Sequence, residues 1–215
     1  MLPKITHKYS PNFNNYKRNK SDIKFLIFHY TGMRKEKDAI ERLINIQSEV
    51  SSHYFIKYDG KIIQFIPDLY TAWHAGKSAW QKKKLLNNFS IGIEISNPGH
   101  NHGYKNYNKK QIIALIKLLQ NLKKKYKIKA ENILGHSDIA PVRKKDPGEK
   151  FPWKYLSKNK VGLWHNLNEK KLFKIKKKKV NKYEENNFIK NLHKIGYSKQ
   201  EIKNKNTKLL TKAFQ

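Results

Sequence analysis

The chain has 215 residues, 38% of them hydrophobic, no cysteine, and a formal net charge of +31 from 47 basic and 16 acidic residues. Such a length holds one full domain and a small appendage, and the missing cysteines exclude disulfides and thiolate ligands, leaving histidine and carboxylate for any zinc site. No apolar run approaches the roughly 20 residues that span a bilayer, and the polar N-terminus lacks the apolar core of a secretory signal, so a cytoplasmic protein is expected, with the cell envelope or periplasm as the alternative.

The charge invites a nucleic-acid reading. Yet the arginines are only Arg18, Arg34, Arg42 and Arg143, and bidentate recognition of bases and phosphates favours arginine over lysine. We read the lysine excess as a generally cationic surface, suited to anionic polymers such as cell-wall glycans, with no specific nucleic-acid partner.

Residues 1–22 read as an extended N-terminal arm. Lys24 to Thr31 is aromatic and β-branched and stops at Gly32, which predicts a buried strand. His29 lies at its C-terminal end, where sites in α/β sheets form, although a lone strand-end histidine reads first as structural. Between Glu36 and Glu49, Ala39, Ile40, Leu43, Ile44 and Ile46 recur at helical spacing. The runs 52–58 and 61–66 flank Asp59-Gly60, a two-residue hairpin turn. His53 is expected to pack at the strand start. Trp73 and His74 lie among Ala72, Ala75 and Gly76, a composition that suits either a packed loop or a cleft wall.

Ser90 to Asn97 is a further strand, with Ile91, Ile93 and Ile95 on one face and Gly92, Glu94 and Ser96 on the other. A mid-strand carboxylate is costly to bury unpaired. Glu94 therefore lies either on an exposed edge or in a polar cleft, where a raised pKa suits base work. His100 and His102 are expected as exposed loop residues. Asn108 opens a helix to about Tyr126, with Lys123, Lys124 and Lys125 complementing its dipole.

Ile133 and Leu134 lead into the segment from Gly135 to Gly148, whose Pro141 and Pro147 forbid continuous helix or central strand. This shaped loop carries His136, Lys144 and Asp146, of which His136 and Asp146 form a candidate ligand pair. A catalytic zinc site needs three protein ligands and an open position. Trp153 to Leu156 predicts a helical turn. Residues 167–183 read as a basic linker. Residues 184–215 carry two helix-like pieces, too few residues for an independent core.

Taken together, His29-Tyr30-Thr31, Ser52-His53-Tyr54, Trp73-His74-Ala75-Gly76, Gly92-Ile93-Glu94, Gly135-His136-Ser137-Asp138-Ile139-Ala140-Pro141, Lys144-Lys145-Asp146-Pro147-Gly148 and Phe151-Pro152-Trp153 resemble the zinc-dependent N-acetylmuramoyl-L-alanine amidases of the type 2 amidase superfamily. That superfamily includes the anhydro-muropeptide amidases and the peptidoglycan recognition proteins. The resemblance spans roughly residues 22–165, with every block in the family's order.

The resemblance implies an α/β fold: a mixed central β-sheet flanked by helices, a catalytic domain over 23–166, and a short helical C-terminal tail. It implies Zn2+ held by His29, His136 and Asp146. Glu94 falls on the family's catalytic glutamate and Lys144 on its catalytic lysine, with Lys145 expected to point away. Trp73 and His74 fall in the substrate groove, and Asn97 is taken with them as a substrate-binding candidate. Asp138 is expected to support the loop rather than bind metal. The implied reaction is hydrolysis of the amide between N-acetylmuramic acid, or its 1,6-anhydro form, and L-alanine of peptidoglycan stem peptides, in cell-wall turnover or recycling. The alternatives are a non-catalytic peptidoglycan-recognition protein and, from another class, a basic nucleic-acid-binding protein. Residues 184–215 resemble the start of a small three-helix peptidoglycan-binding module lacking its last segment.

Overall fold

The computed structural model describes residues 4–199 and 207–214. Its strands are β1 (Ile5–His7), β2 (Phe13–Asn14), β3 (Phe25–Tyr30), β4 (Tyr54–Ile56), β5 (Ile62–Gln64), β6 (Thr71–Ala72), β7 (Ala79–Trp80), β8 (Lys83–Lys84), β9 (Ser90–Ile95) and β10 (Ile133–Gly135). Its α-helices are α1 (Glu36–Ile44), α2 (Lys109–Tyr126), α3 (His136–Ile139), α4 (Trp153–Lys158), α5 (Glu169–Lys177), α6 (Lys182–Ile195) and α7 (Thr207–Phe214). Six strands form one sheet in the order β1-β5-β4-β9-β3-β10. The β4–β5 hairpin is antiparallel and every other pairing is parallel. This is the mixed sheet flanked by helices that the family resemblance implies.

The period of two along β3 and β9 divides the core. Leu26, Phe28, Ile91, Ile93 and Ile95 pack against Leu115, Leu118, Leu119 and Leu122 of α2. Phe25 and Ile27 face the other way, toward Trp80, Leu86 and Leu134. Helix α2 begins where Asn108 predicts: its side chain accepts from the Lys110 amide at 2.8 Å, and Gln111 returns a bond to the Asn108 amide. Helix α1 stops at Ile44, short of the expected Glu49. Asn45 turns extended and caps a short 3-10 turn by accepting from the Gln47 amide at 2.9 Å.

Two boundaries differ from the sequence reading. The expected N-terminal arm is stitched into the domain from residue 4 onward. Strand β1 forms one edge of the main sheet, and β2 pairs with β6. Arg18 is buried and donates to the carbonyls of Asp68, Tyr70, Asn87 and Ser90. A guanidinium spends several donors on buried carbonyls, which a lysine with one ammonium could not span.

At the other end, the expected linker carries a helix, α5, capped by Asn168. Beyond it, among the described residues, the C-terminal tail has no core of its own. Instead Leu192, Tyr197 and Leu210 are buried in the same cluster as Trp80, Leu86 and Ile139. A segment too small to bury apolar surface alone gains it by docking. Residues 200–206 and Gln215, part of the suggested binding module, lie outside the described residues. Among the described residues no helix is long and apolar enough to cross a membrane.

Candidate active site

Three parallel strands, β9, β3 and β10, finish at one end of the sheet. Register then does the placing. His29 lies directly opposite Glu94 across the β3–β9 pair. Gly135 lies opposite Phe28 across the β3–β10 pair, so His136 emerges beside His29. Helix α3 is a single turn, and the chain returns so that the Ser137 amide donates to the Asp146 carbonyl at 2.8 Å. That contact brings Asp146 under the two histidines.

His29 Nδ1 lies 2.9 Å from His136 Nδ1 and 3.1 Å from Asp146 Oδ2, and His136 Nδ1 lies 3.0 Å from the same oxygen. All three residues are buried. Among the described residues this is the cluster of three able to hold a metal ion.

The surrounding hydrogen bonds assign the tautomers. His136 Nε2 faces the Ala75 carbonyl, an acceptor, at 3.1 Å and the donor Arg143 Nη2 at the longer 3.4 Å, so the closer contact favours the proton on Nε2 and leaves the Nδ1 lone pair free. His29 is reached by a longer chain. Ser90 Oγ donates to the Leu86 carbonyl at 2.6 Å and therefore accepts from His74 Nε2 at 3.2 Å. His74 Nδ1, now an acceptor, receives the Nε2 proton of His29 at 3.0 Å. His29 Nδ1 is left with its lone pair facing His136 and Asp146. Burial, then the nearby His136, lowers the His29 pKa to about 4, so the ring is neutral near pH 7.

Asp146 Oδ2, within 3.1 Å of both Nδ1 atoms, completes the set. Two imidazole lone pairs and a carboxylate oxygen thus converge with no proton between them. Such a trio is repulsive unless a cation lies against it, and its composition is that of zinc's nitrogen and oxygen ligands. The residues present fit the metal.

Glu94 belongs to a central strand, paired on both sides by β3 and β4, so the edge-strand reading is set aside. Its Oε2 is buried without a hydrogen-bond partner. Burial, then the charge of Asp146, raises its pKa to about 8, against the opposing pull of Lys144. Glu94, His29, His136, Asp146, Lys144, Trp73 and His74 all line one cleft of about 580 Å3. Lys145, expected to point away, lines it too. His53, as expected, packs: it is buried and accepts from the Gly92 amide at 3.0 Å.

Asn97 is not brought into this cleft. Its side chain is buried, donating to the Lys105 carbonyl at 2.8 Å and accepting from the Gly99 amide at 3.1 Å, which braces the 97–105 loop. His74 has a second role that its motif does not announce, as the partner of His29. The one sequence signal for it is Gly92, a glycine inside a strand. A Cβ there would lie 2.4 Å from His74 Cγ, so only glycine lets the ring approach the sheet.

Two further cleft residues escaped the sequence reading. His100, expected as a plain loop residue, lines the cleft; it is bonded to the Tyr30 hydroxyl at 2.9 Å and to Glu149 at 2.9 Å. Arg143 lines it as well, anchored by donating to the carbonyls of Ala75 and Lys77 at 2.7 and 2.8 Å. Both depend on loop geometry, which local pattern does not encode. A smaller groove of about 370 Å3 adjoins on the far side of Lys144 and Lys145, walled by Trp153, Trp164 and Leu209 of α7.

Residues 19–149 match the family model for N-acetylmuramoyl-L-alanine amidases. The N-acetylmuramoyl-L-alanine amidase AmiD of Escherichia coli is 41% identical over 155 residues, which are 66% of this chain and 55% of that protein. The 1,6-anhydro-N-acetylmuramyl-L-alanine amidase AmpD of Haemophilus influenzae is 34% identical over 167 residues, 69% of this chain and 88% of that protein. Among solved structures, the complex of E. coli AmiD with anhydro-N-acetylmuramic acid-L-Ala-D-gamma-Glu-L-Lys has a TM-score of 0.70 at 32% identity, covering 86% of this chain and 75% of that one. The chain thus spans only about half the length of the curated AmiD.

Proposed function

The chain belongs to the N-acetylmuramoyl-L-alanine amidase family, and from that premise we propose that it hydrolyses the amide between the lactyl group of N-acetylmuramic acid and the L-alanine of a stem peptide. The observation that carries this reading is the convergence of His29, His136 and Asp146, lone pairs inward, beside a protonatable Glu94 in one cleft. The AmiD relative was solved with an anhydro-muramyl tripeptide, and we propose a ligand of the same chemical class here, as a fragment released in cell-wall recycling.

His29 Nδ1, His136 Nδ1 and Asp146 Oδ2 would hold the zinc. A zinc ion bound there supplies a Lewis acid that polarises a carbonyl oxygen and makes a water acidic near pH 7. Glu94 is the proton carrier: its carboxylate accepts a proton from the attacking water and returns it to the alanine nitrogen as the C–N bond breaks. Water's hydroxyl ends on the lactyl carbonyl carbon and its proton on the amine, so the products are a muramyl carboxylate and a free L-alanine terminus. General acid–base help of this kind contributes about 10²–10⁴-fold. The partly buried Lys144 presents an ammonium to the same cleft, where one well-placed donor to a developing oxyanion is worth about 3–4 kcal/mol. Trp73 supplies an aromatic wall, held by its Nε1 donating to Asn14 Oδ1 at 2.8 Å.

A non-catalytic recognition protein would need neither the inward lone pairs nor an unpartnered Glu94. The nucleic-acid reading predicts binding that weakens steeply with salt and survives a chelator. The deciding experiment is incubation with a purified anhydro-muropeptide, with and without chelator, followed by mass spectrometry. Release of the L-alanine-terminated peptide, abolished by chelator and restored by zinc, is the expected result. Binding without release would overturn the amidase reading in favour of recognition.

A further inference from the structure

The C-terminal tail packs on the metal loop, with Leu192 and Leu210 in one cluster with Ile139, and it reaches Asp138 through Tyr197. Tyr197 follows α6 and is 1% exposed. Its hydroxyl donates to Asp138 Oδ1 at 2.7 Å, and the other oxygen of Asp138 accepts from the Gly135 amide at 2.7 Å. Asp138 therefore bridges two elements, the end of β10 and the tail. It sits in the same single turn as the ligand His136, and that turn is tied to the third ligand by the Ser137 amide donating to the Asp146 carbonyl. A shift of the turn would move both His136 and Asp146.

The tail is fastened for this contact. The Tyr197 ring meets Trp80 edge-on, with ring centres 4.9 Å apart. The Gln81 amide donates to the Gly196 carbonyl at 2.6 Å. A Cβ on Gly196 would lie 2.4 Å from Trp80, so the chain can turn against the indole only as glycine. The Tyr197 carbonyl is bonded to His193 Nδ1 at 2.9 Å, and Leu192 and Leu210 close the same cluster. These contacts seat the ring, whereas the hydroxyl adds nothing to apolar packing and is aimed at Asp138.

We propose that Tyr197 is a positioning residue for the metal centre: through Asp138 it holds the His136 turn in the geometry that binds the ion, so the docked tail is part of the site's support. This rests on the reading of His29, His136 and Asp146 as the metal site. Groups bonded directly to metal ligands account for about 10–100-fold in metal affinity, and Tyr197, which acts one bond further out through Asp138, is expected at the lower end of that range.

The test compares the full chain with Tyr197→Phe, which keeps the ring and removes the hydroxyl, and with Leu210→Ala, which removes apolar packing of the tail near Ile139 and keeps the Tyr197 hydroxyl on Asp138. Zinc affinity is measured by competition with a chromophoric chelator, and coordination by the visible spectrum of the cobalt-loaded proteins. Expected is a zinc Kd raised about tenfold or more in Tyr197→Phe, with altered cobalt bands. Leu210→Ala should lower the melting temperature and leave zinc affinity within about twofold of the parent. In an Asp138→Ala background, adding Tyr197→Phe should change zinc affinity no further. An unchanged Kd and cobalt spectrum in Tyr197→Phe would overturn the proposal, as would equal losses in Leu210→Ala. If the parent itself binds no zinc, the metal-site reading falls and this inference falls with it.

Discussion

His29 and Glu94 are register partners on neighbouring parallel strands, so the proposed metal ligand and the proposed proton carrier are held apart by one interstrand spacing rather than by a loop. A separation set by the sheet does not drift with loop motion. Glu94→Gln keeps the shape and removes the proton acceptor. It should lower turnover by about 10²–10⁴-fold while leaving zinc content unchanged, read by steady-state hydrolysis alongside metal analysis. Loss of zinc instead would mean that Glu94 is a ligand.

His74 connects the site to the sheet by relaying the hydrogen-bond sense from Ser90 to His29. Removing it frees the His29 ring to rotate and to change tautomer. His74→Ala should weaken zinc binding by roughly 10–100-fold. Gly92→Ala should do the same by displacing the ring, with a stability loss of about 1–3 kcal/mol from overpacking. Chelator competition and thermal melts read both.

The inward lone pairs predict that the metal stabilises the fold. Zinc at about 100 times its Kd should raise folding free energy by about 2.7 kcal/mol. Differential scanning fluorimetry with zinc, against calcium as the hard-cation control, measures it. Asp146→Ala should abolish the zinc-dependent rise.

Asp68 controls stability in acid. It is buried and accepts from Tyr54 at 2.6 Å, Tyr126 at 2.7 Å and Lys125 at 2.7 Å. Burial pushes its pKa upward, but these three partners outweigh it and hold the pKa below the ordinary value. A depressed folded-state pKa means stability that is fully present above the unfolded pKa of about 4 and is lost as pH falls through the folded one. Asp68→Asn should therefore be less stable than the parent near pH 7, by about 1.5–3 kcal/mol for hydrogen bonds to a charged group. The gap between the two proteins should begin to close as pH falls below about 4. Chemical denaturation across that range checks the sign, and a gap that widens in acid would refute it.

Much of this was legible along the chain because it is local. The alternation of Ile91, Ile93 and Ile95 with Gly92 and Glu94 reports two faces of a strand. Asn108 and Gln111 announce a helix start through bonds spanning three residues. The candidate metal trio was suggested in another way, by the likeness of whole blocks to a known family; nothing in the spacing of His29, His136 and Asp146 joins residues more than 100 positions apart. Even the mid-strand Glu94 stayed ambiguous between edge and cleft until its neighbours β3 and β4 were known.

Other features have no local signature. The N-terminal stretch reads as an arm because its strands are two or three residues long and their partners lie some 60 positions away. The tail reads as a fragment because its apolar residues are too few for a core, and only docking on Trp80 and Ile139 shows what they cover. Asn97 is a substrate-binding candidate on sequence, yet its side-chain amide is bonded inside its own loop, to the Lys105 carbonyl and the Gly99 amide. By itself, then, the sequence determined the longer central strands, the start of α2 and the chemical types at the site, carried by short-range bonding and side-chain alternation. Tertiary structure decided which lone pairs face each other, what orients His29, and that Tyr197 reaches the metal loop. Those depend on strand register and on contacts between distant segments, which no stretch of chain contains.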